Sequence, residues 1–388
     1  MKKPLFSSFF MAGYECADHL NCYGNRINLL QLTQHDVRVR NDYRILKQLG
    51  ISTVREGICW SAVETYPYHY NFEEVQHRIA AAEEYGMQQI WDLCHFGFPD
   101  DLYPTHPHFT KRFVALCKAF CEVYKNCSSQ RLLVVPINEI SFLAWLGGEA
   151  KGTAPFAVNS GYEVKYQLCK AAIAGIKEIK NCLPDAVVLT SEPLIKVHAE
   201  NETEQAAADR YNEYQYQATD MLLGRMCAEL GGREEYVDVL GQNYYPNCQW
   251  LLNGQQLEWP ELTQKRIPLT GLLLQTQQRY NKPLWLSETS GTDIKRGPWL
   301  REIALACRDV MAKGVEMHGI CIYPIINRPD WDHPDQLHHS GLWDCLPGGE
   351  RVLDKAYYEV IYDLMHGLGL QPYSAPDPWI VEEPAMPA

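Results

Sequence analysis

Short, almost wholly apolar runs alternate with longer mixed segments from one end of the chain to the other. The runs cover 7–15, 52–58, 88–96, 132–140, 187–193, 237–245, 283–290 and 319–325. Unbroken apolar runs of this length suit strands buried on both faces, as in a parallel sheet covered by helices. The segments between and after them are helical candidates: 36–49, 73–85, 110–126, 161–181, 204–230, 262–280, 297–313 and 353–365. HRIAAAEEYG (77–86) shows the pattern, an Ala-rich helical run closed by Gly86 as C-cap, and Gly50 ends its helix in the same way. Eight strands and eight helices in alternation predict an α/β fold, a single-domain (β/α)8 TIM barrel. A doubly wound open sheet would carry a Gly-rich phosphate-binding turn after the first strand, and that turn is missing here. We assign residues 1–370 to the barrel and the Pro-rich stretch 371–388 to an extended or disordered tail.

Composition narrows the partners. The net charge of −13 over 388 residues argues against nucleic acid or an anionic membrane surface as partner. No stretch approaches the roughly 18 apolar residues of a membrane span. Two lysines precede an apolar run at the N-terminus, but Ser7 and Ser8 break it and no small-residue cleavage site follows. It reads as the first strand, and the chain is placed in the cytoplasm. The 14 cysteines are scattered through apolar segments, which fits buried free thiols. Cys117, Cys121 and Cys127 form the one tight group, and their spacing is not that of a zinc site. Neither a metal nor another cofactor is expected.

Active sites of such barrels lie at the C-terminal ends of the strands. There the chain carries Glu15, Arg55, Glu56, His95, Asn138, Glu139, Glu192, Asn243, Tyr244 and Glu288, then the stretch from Asn327 through Arg328 and Asp330 to Trp331 after the last run. A buried carboxylate costs several kcal/mol unless it is partnered, so a ring of polar groups points to function. Glu139 ends the fourth run and Glu288 the seventh, which places them on opposite walls of one cleft. Cleaving a glycosidic bond takes one carboxylic acid and one carboxylate, about 5–5.5 Å apart when configuration is retained. Either glutamate alone could equally be a buried ion-pair partner, for instance of Arg55.

Several segments, in order, resemble motifs of clan A glycoside hydrolases, most of all the family 1 β-glycosidases. PINEI (136–140) is similar to the acid/base motif, with Asn138 toward the sugar 2-hydroxyl, and PLWLSETSG (283–291) to the nucleophile motif. CHFGFPDDLYP (94–104) puts His95 at a sugar-binding histidine, and VREGICWSAVETYP (54–67) makes Arg55 the support of the nucleophile. GQNYY (241–245) points to Tyr244 as the tyrosine touching it, and YPIINRPDW (323–331) resembles the stretch gripping the far hydroxyls. The resemblance implies a retaining β-glycoside hydrolase with Glu139 as acid/base, Glu288 as nucleophile, and Glu15, His95, Asn327, Asp330 and Trp331 near the sugar. The chain departs from the pattern at Ile140, where the motif has proline, at Glu15 for glutamine, and at Asp330 for glutamate. It is a divergent member by this reading.

Three other readings stay open. A non-catalytic sugar-binding barrel and a transglycosylase would use the same residues. A metal-dependent barrel hydrolase commonly carries His-x-His after the first strand, which here ends in Tyr14 and Glu15. The expected partner is a small carbohydrate or glycoside; its sugar, its aglycone and the oligomeric state are left open.

Overall fold

The computed structural model describes residues 4–260, 265–346 and 348–367. The barrel strands are β1 (Phe10–Gly13), β2 (Thr53–Gly57), β3 (Gln88–Asp92), β4 (Leu133–Val135), β5 (residues 187–193), β6 (Leu240–Asn243), β7 (Leu284–Thr289) and β8 (Met317–Ile322). All their pairings are parallel. β5 is split: Val187–Val188 pairs with β4, and Glu192–Pro193 pairs with β6. Because one segment forms both ends of the sheet, and Leu189 bridges Val239 between them, the sheet closes on itself.

The connecting helices are α1 (His35–Gln48), α2 (Glu73–Tyr85), α3 (Phe109–Cys127), α4 (Gly161–Cys182), α5 (Gln205–Tyr214), α6 (Leu269–Tyr280), α7 (Arg296–Ala312) and α8 (Lys355–Gly367). Gly86 caps α2 in the left-handed region at φ 61°, and Gly50 follows α1 at φ 80°, as the sequence predicts. The expected helix 204–230 is broken into α5, Gln217–Leu222 and short turns. The expected tail 371–388 lies outside the described residues.

Two apolar cores follow from strand alternation. Met11, Ile90, Leu133, Val187, Val239, Trp285 and Cys321 point inward and, with Phe6, fill the barrel. Their neighbours Ala12, Val54, Trp91, Val134 and Leu286 point outward and pack under the helices. Filling the lower barrel with side chains leaves the upper strand ends as the place for polar groups. All 14 cysteines are free, and most are buried. Among the described residues no helix is long and apolar enough to cross a membrane.

Candidate active site

Arg55 organises the upper barrel. It points inward from β2, fully buried, and uses every N–H of its guanidinium. Nε and Nη2 donate to the two Asp92 carboxylate oxygens at 3.1 and 2.7 Å, and Nη2 also donates to Asn138 Oδ1 at 2.7 Å. Nη1 donates to Glu288 Oε1 at 2.7 Å and to the Ser287 carbonyl at 2.9 Å. Five donors meet five acceptors, a fit only arginine offers. Burial opposes its charge, but Asp92 and Glu288 prevail and push it further up.

Glu288 reaches the cleft because β7 is irregular: the register shifts between Leu286 and Thr289, next to a shift in β6 between Gln242 and Asn243. Such irregularities re-aim side chains at barrel rims. Its second oxygen accepts the Tyr245 hydroxyl at 2.8 Å. This corrects the sequence expectation for Tyr244. The Tyr244 hydroxyl lies beside Gln249 and Arg266, at 2.7 and 3.3 Å, and its ring stacks on Trp299. Tyr244 touches Glu288 only through the main chain, donating its N–H to the Glu288 carbonyl at 2.9 Å.

Glu139 occupies the opposite wall in a left-handed conformation, φ 44° and ψ 56°. Its carboxyl is buried and accepts Asn243 Nδ2 at 2.8 Å. Asn243 is held in turn by the Ser191 and Ser287 hydroxyls at 2.9 and 2.5 Å. Burial, and then the charge of Glu288, push Glu139 well above the usual carboxylate range, against the Asn243 hydrogen bond and Arg55. One glutamate thus sits between a cation and a tyrosine hydroxyl, the other is buried with a single amide donor and faces a carboxylate.

Next to this pair, His95 is bonded through Nδ1 to Asp92 at 2.8 Å. Its Nε2 lies 3.2 Å from the Tyr323 hydroxyl and 3.3 Å from Asn138 Nδ2. Tyr323 also reaches Glu15 at 3.2 Å, and Arg328 pairs with the other Glu15 oxygen at 3.2 Å. The Tyr323 ring lies against Gly13, where a Cβ would come within 2.0 Å of it. Trp331 packs its ring on His19 and Phe96, with centroids 4.4 and 5.2 Å apart, and Phe142 lies beyond. Its indole N–H is buried without a partner.

Glu15, Arg55, His95, Asn138, Glu139, Glu288 and Trp331 are therefore brought together, and Tyr244, Asn327 and Asp330 are engaged elsewhere. Asn327 caps its own loop, accepting the Gly341 N–H at 2.6 Å and donating to Asp344. Asp330 accepts the N–H groups of Asp332 and His333 at 2.9 Å and pairs with His338. Glu56 points outward into a buried network under the helices, alternate to Arg55 along β2. The sequence reading missed Asp92, Tyr245 and Tyr323, although each lies within or ends an apolar run. Among the described residues Cys16, Asp92 and His95 approach one another closely enough to share a cation, within 4.8 Å. Arg55 already occupies both oxygens of that aspartate, which leaves a poor ligand set.

No protein-family profile matches the chain, and no curated protein matches it by sequence. Solved structures do match. A family 1 β-glucosidase from Thermotoga maritima aligns over 96% of this chain and 99% of its own, with a TM-score of 0.72 at 14% identity. A β-glucosidase from the same organism in complex with glucoimidazole gives 0.71 over 94% and 100% at 14% identity. The AHE enzyme from Alicyclobacillus herbarius gives 0.76 over 95% and 99%, again at 14% identity. The likeness spans essentially whole chains, and this protein shares the (β/α)8 barrel fold of these structures.

Proposed function

We propose that this chain is a retaining β-glycoside hydrolase acting on a small carbohydrate or glycoside. One observation carries the reading: two buried carboxyls share one cleft in opposite electrostatic settings, Arg55 and Tyr245 on Glu288, burial and a facing carboxylate on Glu139. A carboxyl raised by burial suits the acid, and one held by a cation and a hydroxyl donor suits the nucleophile. Glu288, ionised, attacks the anomeric carbon while Glu139 gives its proton to the leaving oxygen. The resulting glycosyl ester removes the negative charge of Glu288, so Glu139, now ionised, takes a proton from the attacking water. Tyr245 and Arg55 hold Glu288 in line. The Glu15–Arg328 pair, His95, Tyr323 and Trp331 form the wall on which the sugar hydroxyls and ring face would rest. The free, mostly buried cysteines suit a reducing compartment, and we place the protein in the cytoplasm.

The experiment is the leaving-group dependence of a Glu139→Ala variant. Loss of the acid should slow ordinary alkyl glycosides by about 10²–10⁴-fold and spare the first step for activated aryl glycosides. An alanine variant equally impaired on both classes would remove Glu139 from the role.

A further inference from the structure

Glu192, at the end of β5, lies buried behind Glu139 and takes no part in the bonds around Arg55. Its two oxygens accept the N–H groups of Ile140 and Ser141 at 2.6 and 3.1 Å. These are the first two N–H groups of the helix Ile140–Gly148, whose N-cap is Glu139 itself, and the Glu139 side chain makes no capping bond. The first N–H groups of a helix have no partner within it, and its N-terminus favours an anion. Glu192 supplies both acceptors from another strand. The Glu139 N–H donates to the Ser191 carbonyl at 2.8 Å. Three consecutive main-chain N–H groups therefore end on two consecutive residues of β5. From the same place the Ser191 hydroxyl holds Asn243, which holds the Glu139 carboxyl.

We propose that Glu192 is a positioning residue for Glu139, fixing its left-handed backbone and placing a negative charge behind it. This rests on Glu139 being the acid/base. A left-handed residue with a Cβ persists only where its surroundings over-determine it, and the three bonds to β5 do so. The departure at Ile140 belongs to the same device. Proline has no N–H and disfavours a helical conformation in the residue before it. Isoleucine provides the N–H that makes the shorter bond to Glu192.

The titratable groups facing Glu192 are few. From α4 come Lys165 and Cys169, and from the end of β4 comes Glu139. The Lys165 ammonium is engaged by the Tyr214 carbonyl and Gln217, at 2.9 and 3.1 Å. Apart from Thr190 the remaining wall is apolar, with Ile137, Ile176, Leu189 and Leu222. Burial lifts Glu192 to about 7, against the Ser141 and Ile140 hydrogen bonds and the Lys165 charge. Around Glu139 stand Glu288 from β7, Arg55 from β2, and Glu192, whose charge acts in the same direction as that of Glu288.

The test is a carboxyl 13C NMR titration of the full chain labelled at glutamate, with Glu139 assigned from the E139Q spectrum. E192Q should lower the Glu139 titration by about half to one pH unit. It should also slow unactivated glycosides about tenfold more than activated ones. A folded E192Q with both quantities unchanged overturns the proposal. If E192Q does not fold, the wild type decides: the Ile140 and Ser141 amide signals should move together near pH 7, and the Glu139 carboxyl should respond there. A Glu139 carboxyl signal that does not respond where those amides move contradicts it. The titration needs no turnover, so absence of hydrolysis would count against the proposed function and still leave this coupling measurable.

Discussion

The Tyr245 hydroxyl donates to Glu288 Oε2 at 2.8 Å, while the adjacent Tyr244 turns its ring onto Trp299 and its hydroxyl to Gln249. A hydrogen bond to a carboxylate is worth about 1.5–3 kcal/mol, so Tyr245→Phe should reduce turnover by about ten- to a hundredfold with little change in unfolding temperature. Tyr244→Phe should leave turnover unchanged and cost about 1 kcal/mol of stability. Steady-state rates and denaturant midpoints of the two variants check this, and the reverse ranking would contradict the site as described.

This pair also bears on how much is legible in the sequence. The alternation of apolar runs and helical segments encodes the barrel directly, because each strand must be buried on both faces. Glu139, Glu288 and Arg55 stand out because charged residues at the ends of such runs are expensive. The tyrosine is legible too: alternation from the inward Val239 through Asn243 sends Tyr245 to the cleft and Tyr244 to the helices, a period that motif similarity passes over. Asn327 and Asp330 sit in a loop whose internal hydrogen bonds depend on chain geometry, so their capping roles were out of reach. Glu56 follows Arg55 directly, and strand alternation sends it to the other face of the sheet.

Arg55 satisfies Asp92, Glu288, Asn138 and the Ser287 carbonyl at once. Lysine has three donors on a single nitrogen and would leave buried carboxylates without partners. Arg55→Lys should destabilise the fold by about 3–5 kcal/mol and abolish measurable turnover. Chemical unfolding at neutral pH measures the first effect, and near-wild-type stability would contradict the bonding scheme.

In the proposed mechanism Glu139 acts on the leaving group only while protonated. Its value is raised by burial and by Glu288, so activity should persist into neutral pH and fall as pH rises through that value. In Glu139→Ala acting on an activated aryl glycoside, this basic limb should disappear while the acidic limb remains. A pH profile of kcat/KM for both proteins tests the assignment.

Under the helices, His35 lies between Asp42 and Glu56 at 2.7 and 2.9 Å, with Arg351 on Asp42 and Arg78 on Glu56. Burial opposes the charge of His35, but Glu56 and Asp42 raise it above 6.5. A raised histidine stabilises fully below its unfolded value, and that stability is lost as pH rises through the folded one. His35→Ala should cost about 3 kcal/mol below pH 6.5, and the difference from wild type should shrink at alkaline pH. Thermal unfolding of both proteins across that range shows whether it does.

The most direct measurement is intact-mass and peptide analysis after incubation with activated 2-deoxy-2-fluoro-β-glycosides of several sugars. The double-displacement account predicts a stable adduct of one glycosyl unit on Glu288, absent from Glu288→Gln, and the sugar that reacts names an accepted substrate. An adduct on another residue, or hydrolysis of ordinary β-glycosides with inverted configuration, would contradict it.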